Sequence, residues 1–328
     1  MTFAKRGYPH LFSVAPMMDW TDRHCRYFYR LLSKKTQLYT EMITTQAILN
    51  GNQKRLLGYD ESEHSIVLQL GGSDPTQMAQ CAKIAQDWQY DEVNINVGCP
   101  SDRVQSGHFG ACLMKTPDVV AQCVDAMSQK ADIPITVKCR IGVDEIESYE
   151  YLSDFIEKVS QNHCHTFVIH ARKAYLKGLS PKENRTKPPL NYPWVYQIKQ
   201  DFPELNVVLN GGIADIDESL EHLKKTDGVM LGRAIYHQPY LLSEVDNKIY
   251  KQSSKQPSRE QVLLKLIEYI EHKQNKDVPM RSISRHILGL YHGEKNAKKF
   301  KRLLSGPRVE LEHLYQWLDF KEKNERVG

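Results

Sequence analysis

The chain has 328 residues, is 41% hydrophobic and 26% charged, and carries a formal net charge of +4. That length fits one large domain with a small companion, or two medium domains, and without a run of about 18 apolar residues it offers no membrane-spanning helix. Its seven cysteines include no C-x-x-C pair, which argues against a zinc ribbon or other metal site and against a disulfide framework, so a reducing cytoplasm is the simplest home.

The opening stretch, MTFAKRGYPHLF, lacks the apolar core of a signal peptide. Eight strand-like runs then follow: LFSVAPM (11–17), QLYTEMI (37–43), SIVLQLG (65–71), EVNINVG (92–98), ITVKCRI (135–141), TFVIHA (166–171), NVVLNGG (206–212) and GVMLGRA (228–234). Between them lie helical stretches at 74–88, 116–130 and 215–225. Asp74 and Thr116 each precede a proline, the pattern of a capping residue followed by Pro at the first helical position. Eight strands alternating with helices describe a (β/α)8 TIM barrel over residues 1–250. A doubly wound sheet is the rival, but it rarely needs eight such units.

After Tyr250 the texture changes. KQSSKQPSRE (251–260) reads as a linker. Four stretches with helical apolar spacing follow, so residues 251–328 read as a C-terminal helical-bundle domain. Between Arg281 and Arg302 stand seven cations (Arg281, Arg285, Lys295, Lys298, Lys299, Lys301 and Arg302) against one anion, Glu294, a surplus larger than the net charge of the whole chain. Such a run is either a solvated helix face or a surface for a polyanion.

In a barrel of this class the active site lies where the strands end. Those ends carry Pro16, Met17, Met18, Thr40, Glu41, Gln69, Asn96, Cys99, Lys138, Arg140, His170, Arg172, Asn210, Gly211, Gly212, Gly232 and Arg233. LNGGI and LGRA close the last two runs, where glycine backbones and an arginine suit a phosphate. Lys138, inside an apolar strand, could form a Schiff base, could hold negative charge on a cofactor, or could snorkel outward. His170 is open to a structural reading as well as a functional one. The part of Cys112 and Cys139 stays open, while Cys81, Cys123 and Cys25 read as small buried hydrophobes. Cys99 does not, held at a strand tip between Gly98 and Pro100; it could act as a nucleophile or as an acid. The loop after it, SDRVQSGHFGA, has two glycines and no apparent core pattern, which suggests a lid.

Taken together, APMMDWTDRHCRYF, YTEMI, VLQLGG, NINVGCPSDRVQSGHFGACLM, VKCRIG, VIHARKA, LNGGI and LGRA resemble the tRNA-dihydrouridine synthases. VGCPSDRVQSGHFGACLM and GLSPKENR are similar to the A subgroup in particular. The resemblance implies FMN at the barrel mouth, NADPH as reductant, and tRNA as substrate, with uridines 20 and 20a of the D-loop as targets. Pro16, Met17 and Met18 would line the flavin ring, and Gln69, Lys138 and His170 would meet its polar edge. Asn210, Gly211, Gly212, Gly232 and Arg233 would hold its phosphate and ribityl tail. Cys99 would be the catalytic acid and Asn96 would touch the target uridine. Asn184, Arg185 and Lys187 after the sixth run, and Lys299 and Arg302 on one face of a C-terminal helix, would contact the RNA, one chain per tRNA. The rival functions are a small-molecule flavoenzyme on the same barrel, a Schiff-base lyase, and a non-catalytic RNA-binding protein.

Overall fold

The eight apolar runs all form strands, and they pair in parallel in one sheet. A computed structural model describes residues 9–161, 163–253, 255–274, 278–306 and 308–325; the signal-peptide reading of the opening stretch falls, through Tyr8, outside them. The strands are β1 (Phe12–Val14), β2 (Leu38–Thr44), β3 (Ile66–Gly71), β4 (Glu92–Val97), β5 (Ile135–Arg140), β6 (Thr166–His170), β7 (Asn206–Asn210) and β8 (Gly228–Leu231). From β2 to β8 each pairs with its neighbours in sequence, and β1 pairs with β8. The ring closes through a bridge between Ser13 and Gln37, where Val14 N–H donates to Gln37 O and Gln37 N–H donates to Phe12 O, each at 3.0 Å. This is the expected (β/α)8 barrel.

Alternation along each strand sorts side chains between the barrel interior and the helix layer. Ala15, Tyr39, Val67, Val168, Val208 and Met230 pack together as a small cluster separate from the main core. The opposite faces of the strands join the helices in that main core, which takes in Cys25, Cys81, Cys123, Cys139 and Cys164, all buried. The helix Pro75–Asp87 is capped as expected, with Asp74 Oδ1 accepting from Gln77 N–H at 2.8 Å. Thr116 precedes the helix Pro117–Lys130 without a side-chain cap bond, so there the proline alone marks the start. The far end of the barrel is closed by the turn Pro9–Leu11. It lies so close that a Cβ at Gly228 would come within 2.0 Å of His10 O, a contact only glycine permits.

Beyond the barrel, helices span Arg259–Gln274, Met280–Ser284, Ala297–Leu303 and Glu312–Glu325. The first takes Arg259 and Glu260 from the stretch read as linker. The second is shorter than its apolar spacing suggested, and after Ser284 the chain runs on in turns up to the helix Ala297–Leu303. Tyr291, Phe300 and Trp317 form their aromatic centre, with ring centroids 4.6 to 5.0 Å apart. These helices dock on the barrel through Tyr269, stacked on Tyr27 at 3.8 Å, and through Arg285 and His286, which both reach Asp22. Gln256 and Pro257 are tied down: Tyr240 OH donates to Pro257 O at 2.9 Å, and Gln256 Nε2 to Ser243 Oγ at 2.6 Å. Among the described residues no helix is long and apolar enough to cross a membrane, and no cluster of potential metal ligands exists.

Candidate active site

Strand register brings the sequence-predicted rim together. Asn96 pairs with Lys138, Arg140 with His170, and His170 with Asn210, so β4 to β7 present their polar residues side by side at one end of the barrel. Lys138 Nζ donates to Asn210 Oδ1 at 2.8 Å, and Asn210 Nδ2 donates to Met230 O at 2.7 Å. Lys138 thus points into the barrel mouth, as an inward-facing residue must, and the outward-snorkelling alternative falls. Burial, with the charge of Arg140 beside it, pushes Lys138 down to about 7. His170 is held well below its usual range by burial and by the charges of Arg140 and Lys138, so it is a neutral imidazole. Burial, with Arg185 and Arg172 nearby, pushes Arg140 down to about 9.

Lys138, Arg140, Arg172, Arg185 and Arg233 form no salt bridge among the described residues. They are close enough to depress one another's charge. Arg172 Nε is buried without a partner. Converging cations with no carboxylate to meet them are costly unless an anion joins them. The glycines agree with such a ligand. Gly211 has φ +111°, and a Cβ there would strike the His170 ring at 2.4 Å; Gly212 has φ +81°. Gly232 differs: an added Cβ would meet only Ala15 and Met17, at an ordinary 3.5 Å. Protein packing leaves room for a side chain at that position, and the glycine keeps the space open beside Met17. Pro16 and Met17 are half-buried, and Met18 is 52% exposed, an unusual position for so apolar a residue.

Cys99 lies at the tip of β4, half-buried, with Sγ 3.5 Å from Ser101 Oγ. Its backbone is clamped. Asn96 Oδ1 accepts from Gly98 N–H at 3.1 Å and Cys99 N–H at 2.9 Å, while Ala111 N–H donates to Cys99 O at 2.9 Å. The segment that follows, expected as a lid from its glycines, is folded against the rim. Its short helix Asp102–Ser106 buries Val104, Phe109 is buried behind it, and Gln105 Nε2 donates to Pro100 O and Leu176 O. Cys112 and Cys139 both have thiols pushed up by burial, Cys139 to about 12. Cys139 also faces the helix layer, on the side of β5 opposite Lys138.

Two expected contacts land elsewhere. Asn184 is fully buried: its Oδ1 accepts from Tyr175 N–H at 2.7 Å, and its Nδ2 donates to Tyr175 O and Leu179 O. It shapes the loop after β6 and presents nothing to an RNA, whereas its neighbours Arg185 and Lys187 are exposed. Arg285, counted in the cationic run, is paired with Asp22. Gln69 is 1% exposed, donating to Asn94 Oδ1 at 2.8 Å and accepting from Asn96 Nδ2 at 2.9 Å. The sequence reading missed Asn94, Thr136 and Glu92, which share this buried network. The signal was present as polar residues at every second position of EVNINV, the inward face of β4.

Residues 13–320 match the sequence pattern of the family described as dihydrouridine synthase. The chain belongs to that family. It is 54% identical over 293 residues to the tRNA-dihydrouridine(20/20a) synthase of Synechocystis sp., covering 89% of this chain and 88% of that protein. It is 54% identical over 295 residues to the synthase of the same name from Salmonella typhimurium, covering 90% and 89%. A solved structure of a morphinone reductase mutant in complex with tetrahydroNAD superposes with a TM-score of 0.53 at 10% identity, over 77% of this chain and 90% of that one, a likeness of fold. In this dihydrouridine synthase the thiol of Cys99 follows β4 and Lys138 stands on the adjacent β5, with arginines that form no salt bridge among the described residues around them.

Proposed function

We propose that the chain reduces the 5,6-double bond of uridines 20 and 20a in the D-loop of tRNA, using FMN held at the barrel mouth and NADPH as reductant. The observation that carries this reading is the meeting of a strand-tip thiol with five cations that have no carboxylate partner. The names of the relatives support the substrate. When bound, reduced FMN supplies hydride equivalents to C6 of the uracil ring.

The residues of this chain do the rest. Pro16, Met17 and Met18 offer an apolar wall for a planar ring. Lys138 and His170, with the second amide N–H of Gln69, offer polar contacts at its edge, and a cationic Lys138 balances negative charge there. Asn210, Gly211, Gly212, Gly232 and Arg233 offer backbone and guanidinium donors to a phosphate and its chain of hydroxyls. Reduction at C6 leaves enolate character between C5 and the C4 carbonyl, and Cys99 delivers the proton to C5. A free thiol is mostly protonated near neutrality and is competent for that transfer. Asn96 stands beside Cys99 to meet the uracil. The base must leave its stack to reach this mouth, so the RNA needs a grip outside it. Arg185 and Lys187 on the loop after β6, and Lys299 and Arg302 on the helix Ala297–Leu303, are exposed cations suited to phosphates. We assign residues 1–250 to catalysis and 251–328 to RNA binding, in a monomer working in the cytoplasm where tRNA is found.

The test is direct. Purified protein should retain FMN and, with NADPH, convert an unmodified tRNA transcript so that mapping places dihydrouridine at positions 20 and 20a. A protein that retains no FMN when supplied, or that leaves uridine in the transcript intact, overturns the reading; dihydrouridine at other positions overturns the site assignment.

A further inference from the structure

A line of buried polar side chains crosses the barrel from its closed end to Cys99. Gly98 and Cys99 N–H donate to Asn96 Oδ1; Asn96 Nδ2 donates to Gln69 Oε1 at 2.9 Å; Gln69 Nε2 donates to Asn94 Oδ1 at 2.8 Å. Asn94 Nδ2 donates to Thr136 Oγ1 at 2.9 Å, and Thr136 Oγ1 donates to Glu92 Oε1 at 2.6 Å. Glu92 Oε2 meets His10 Nε2 at 2.8 Å. Every member is at most 8% exposed. From Glu92 to Asn96 the line climbs about 13 Å, four steps of strand rise.

The direction of these bonds is not free. Two backbone N–H groups can be met only by the oxygen of Asn96, so its nitrogen must face Gln69. Gln69 must answer with its oxygen and turn its nitrogen to Asn94, and Asn94 likewise to Thr136. The threonine hydroxyl, already accepting from Asn94, has its own proton left to give. Glu92 Oε1 takes it. Turning over any single amide would set oxygen against oxygen or N–H against N–H in a dry interior, a penalty the whole line resists.

The geometry points to Glu92 as a positioning residue for Cys99, acting through Thr136, Asn94, Gln69 and Asn96 so that the carbonyl of Asn96 holds the thiol's backbone in one place. This inference rests on the reading of Cys99 as proton donor, and it adds residues at the opposite end of the barrel that touch neither cofactor nor uracil. A small displacement of a reacting group is enough to cost activity.

Thr136→Val removes the hydroxyl at nearly constant volume and cuts the line in the middle. It is expected to keep the FMN content and the rate of flavin reduction by NADPH, and to lower kcat for dihydrouridine formation by about 10- to 100-fold with KM for tRNA within about twofold. Thr136→Ser, which restores the donor, should recover most of kcat. Glu92→Gln is the second arm: it keeps an acceptor but can also turn a donor towards Thr136, so it should fall between the wild type and Thr136→Val. It decides the matter if Thr136→Val does not fold. A readout independent of turnover is the alkylation rate of Cys99 by iodoacetamide, followed by peptide mass mapping. It should change in Thr136→Val and return in Thr136→Ser. Folded, FMN-loaded variants with wild-type kcat and wild-type Cys99 alkylation overturn the inference, as does a loss that Thr136→Ser fails to repair. Wild-type protein inactive on tRNA would instead overturn the proposed function, and the alkylation arm would still decide the line.

Discussion

Lys138 Nζ reaches across the barrel mouth from β5 to Asn210 Oδ1 on β7, a hydrogen bond of 2.8 Å. The partner is a neutral amide, so nothing there neutralises an ammonium. Burial and Arg140 push the group down to about 7 from an ordinary 10.5. An anionic cofactor would favour the protonated form and raise it. FMN binding above neutrality should therefore take up a proton, and affinity should fall as pH rises above about 7. Burial and the charge of Arg140 hold His170 well below its usual range as well. FMN titrations by fluorescence quenching between pH 6 and pH 9 check this, and Lys138→Met should flatten the profile while weakening binding near pH 6. For the flavin-free fold the sign is reversed. The unfolded chain holds the proton from about 7 to 10.5, so stability rises with pH across that window.

Cys99→Ala is expected to fold and to keep its FMN, because the clamp on this residue is made by its backbone N–H and carbonyl. NADPH-driven flavin reduction should be unchanged. Dihydrouridine formation should fall by about 10² to 10⁴, the usual worth of a general acid. Nucleoside analysis of tRNA after a single turnover measures it; a rate within a few-fold of wild type would remove the thiol from the mechanism.

The barrel was legible because most of its strands are short apolar runs buried on both faces, bounded by polar or glycine residues. The rim followed from the rule that strand ends carry the site, and Lys138, His170 and Asn210 do converge there. What escaped is what side chains do once packed. Val104 and Phe109 lie six and eleven residues after Gly98 in a glycine-flecked stretch without periodicity, yet both are buried and anchor it. Asn184 looked like an exposed loop residue; its amide instead completes the backbone bonds of its own loop. Arg285 belonged by composition to a basic run, and only the tertiary contact with Asp22 separates it from its neighbours.

The separation matters for the surface. On the helix Ala297–Leu303, Lys299 and Arg302 are exposed, and Lys299 Nζ lies 3.5 Å over the Phe320 ring, an arrangement that leaves the charge open to solvent. Lys299→Glu with Arg302→Glu should weaken tRNA binding and reduce the steepness of its salt dependence by about two counterions. Flavin reduction by NADPH should not change. Filter binding between 50 and 200 mM salt, values set by the range over which such slopes are read, checks this, and an unaltered slope would place the RNA elsewhere.

Asp22 is where the C-terminal helices hold the barrel. Its Oδ1 caps the helix Arg23–Leu32, accepting from His24 N–H at 2.9 Å and Cys25 N–H at 3.0 Å. Its Oδ2 accepts from Arg285 Nη2 at 2.6 Å and meets His286 Nε2 at 3.1 Å. Burial pushes the carboxyl up, but the hydrogen bond and charge of His286, the Cys25 amide and Arg285 outweigh it and hold Asp22 well below its ordinary 3.8. Asp22→Ala removes both the cap and the pair and should cost about 3 kcal/mol. Because the folded value is depressed, the stabilisation is complete above the ordinary carboxylate range and is lost as pH falls below it. Asp22→Asn, which keeps the cap oxygen but not the charge, should therefore be less stable than wild type at pH 7 and should lose less on acidification. Thermal unfolding from pH 7 down to about pH 3 reads that difference. Limited proteolysis in the 251–258 segment should quicken in Asp22→Ala if the docking fails, and an unchanged cleavage rate with an unchanged melting curve would show that the aromatic contacts around Tyr269 hold the helices without it.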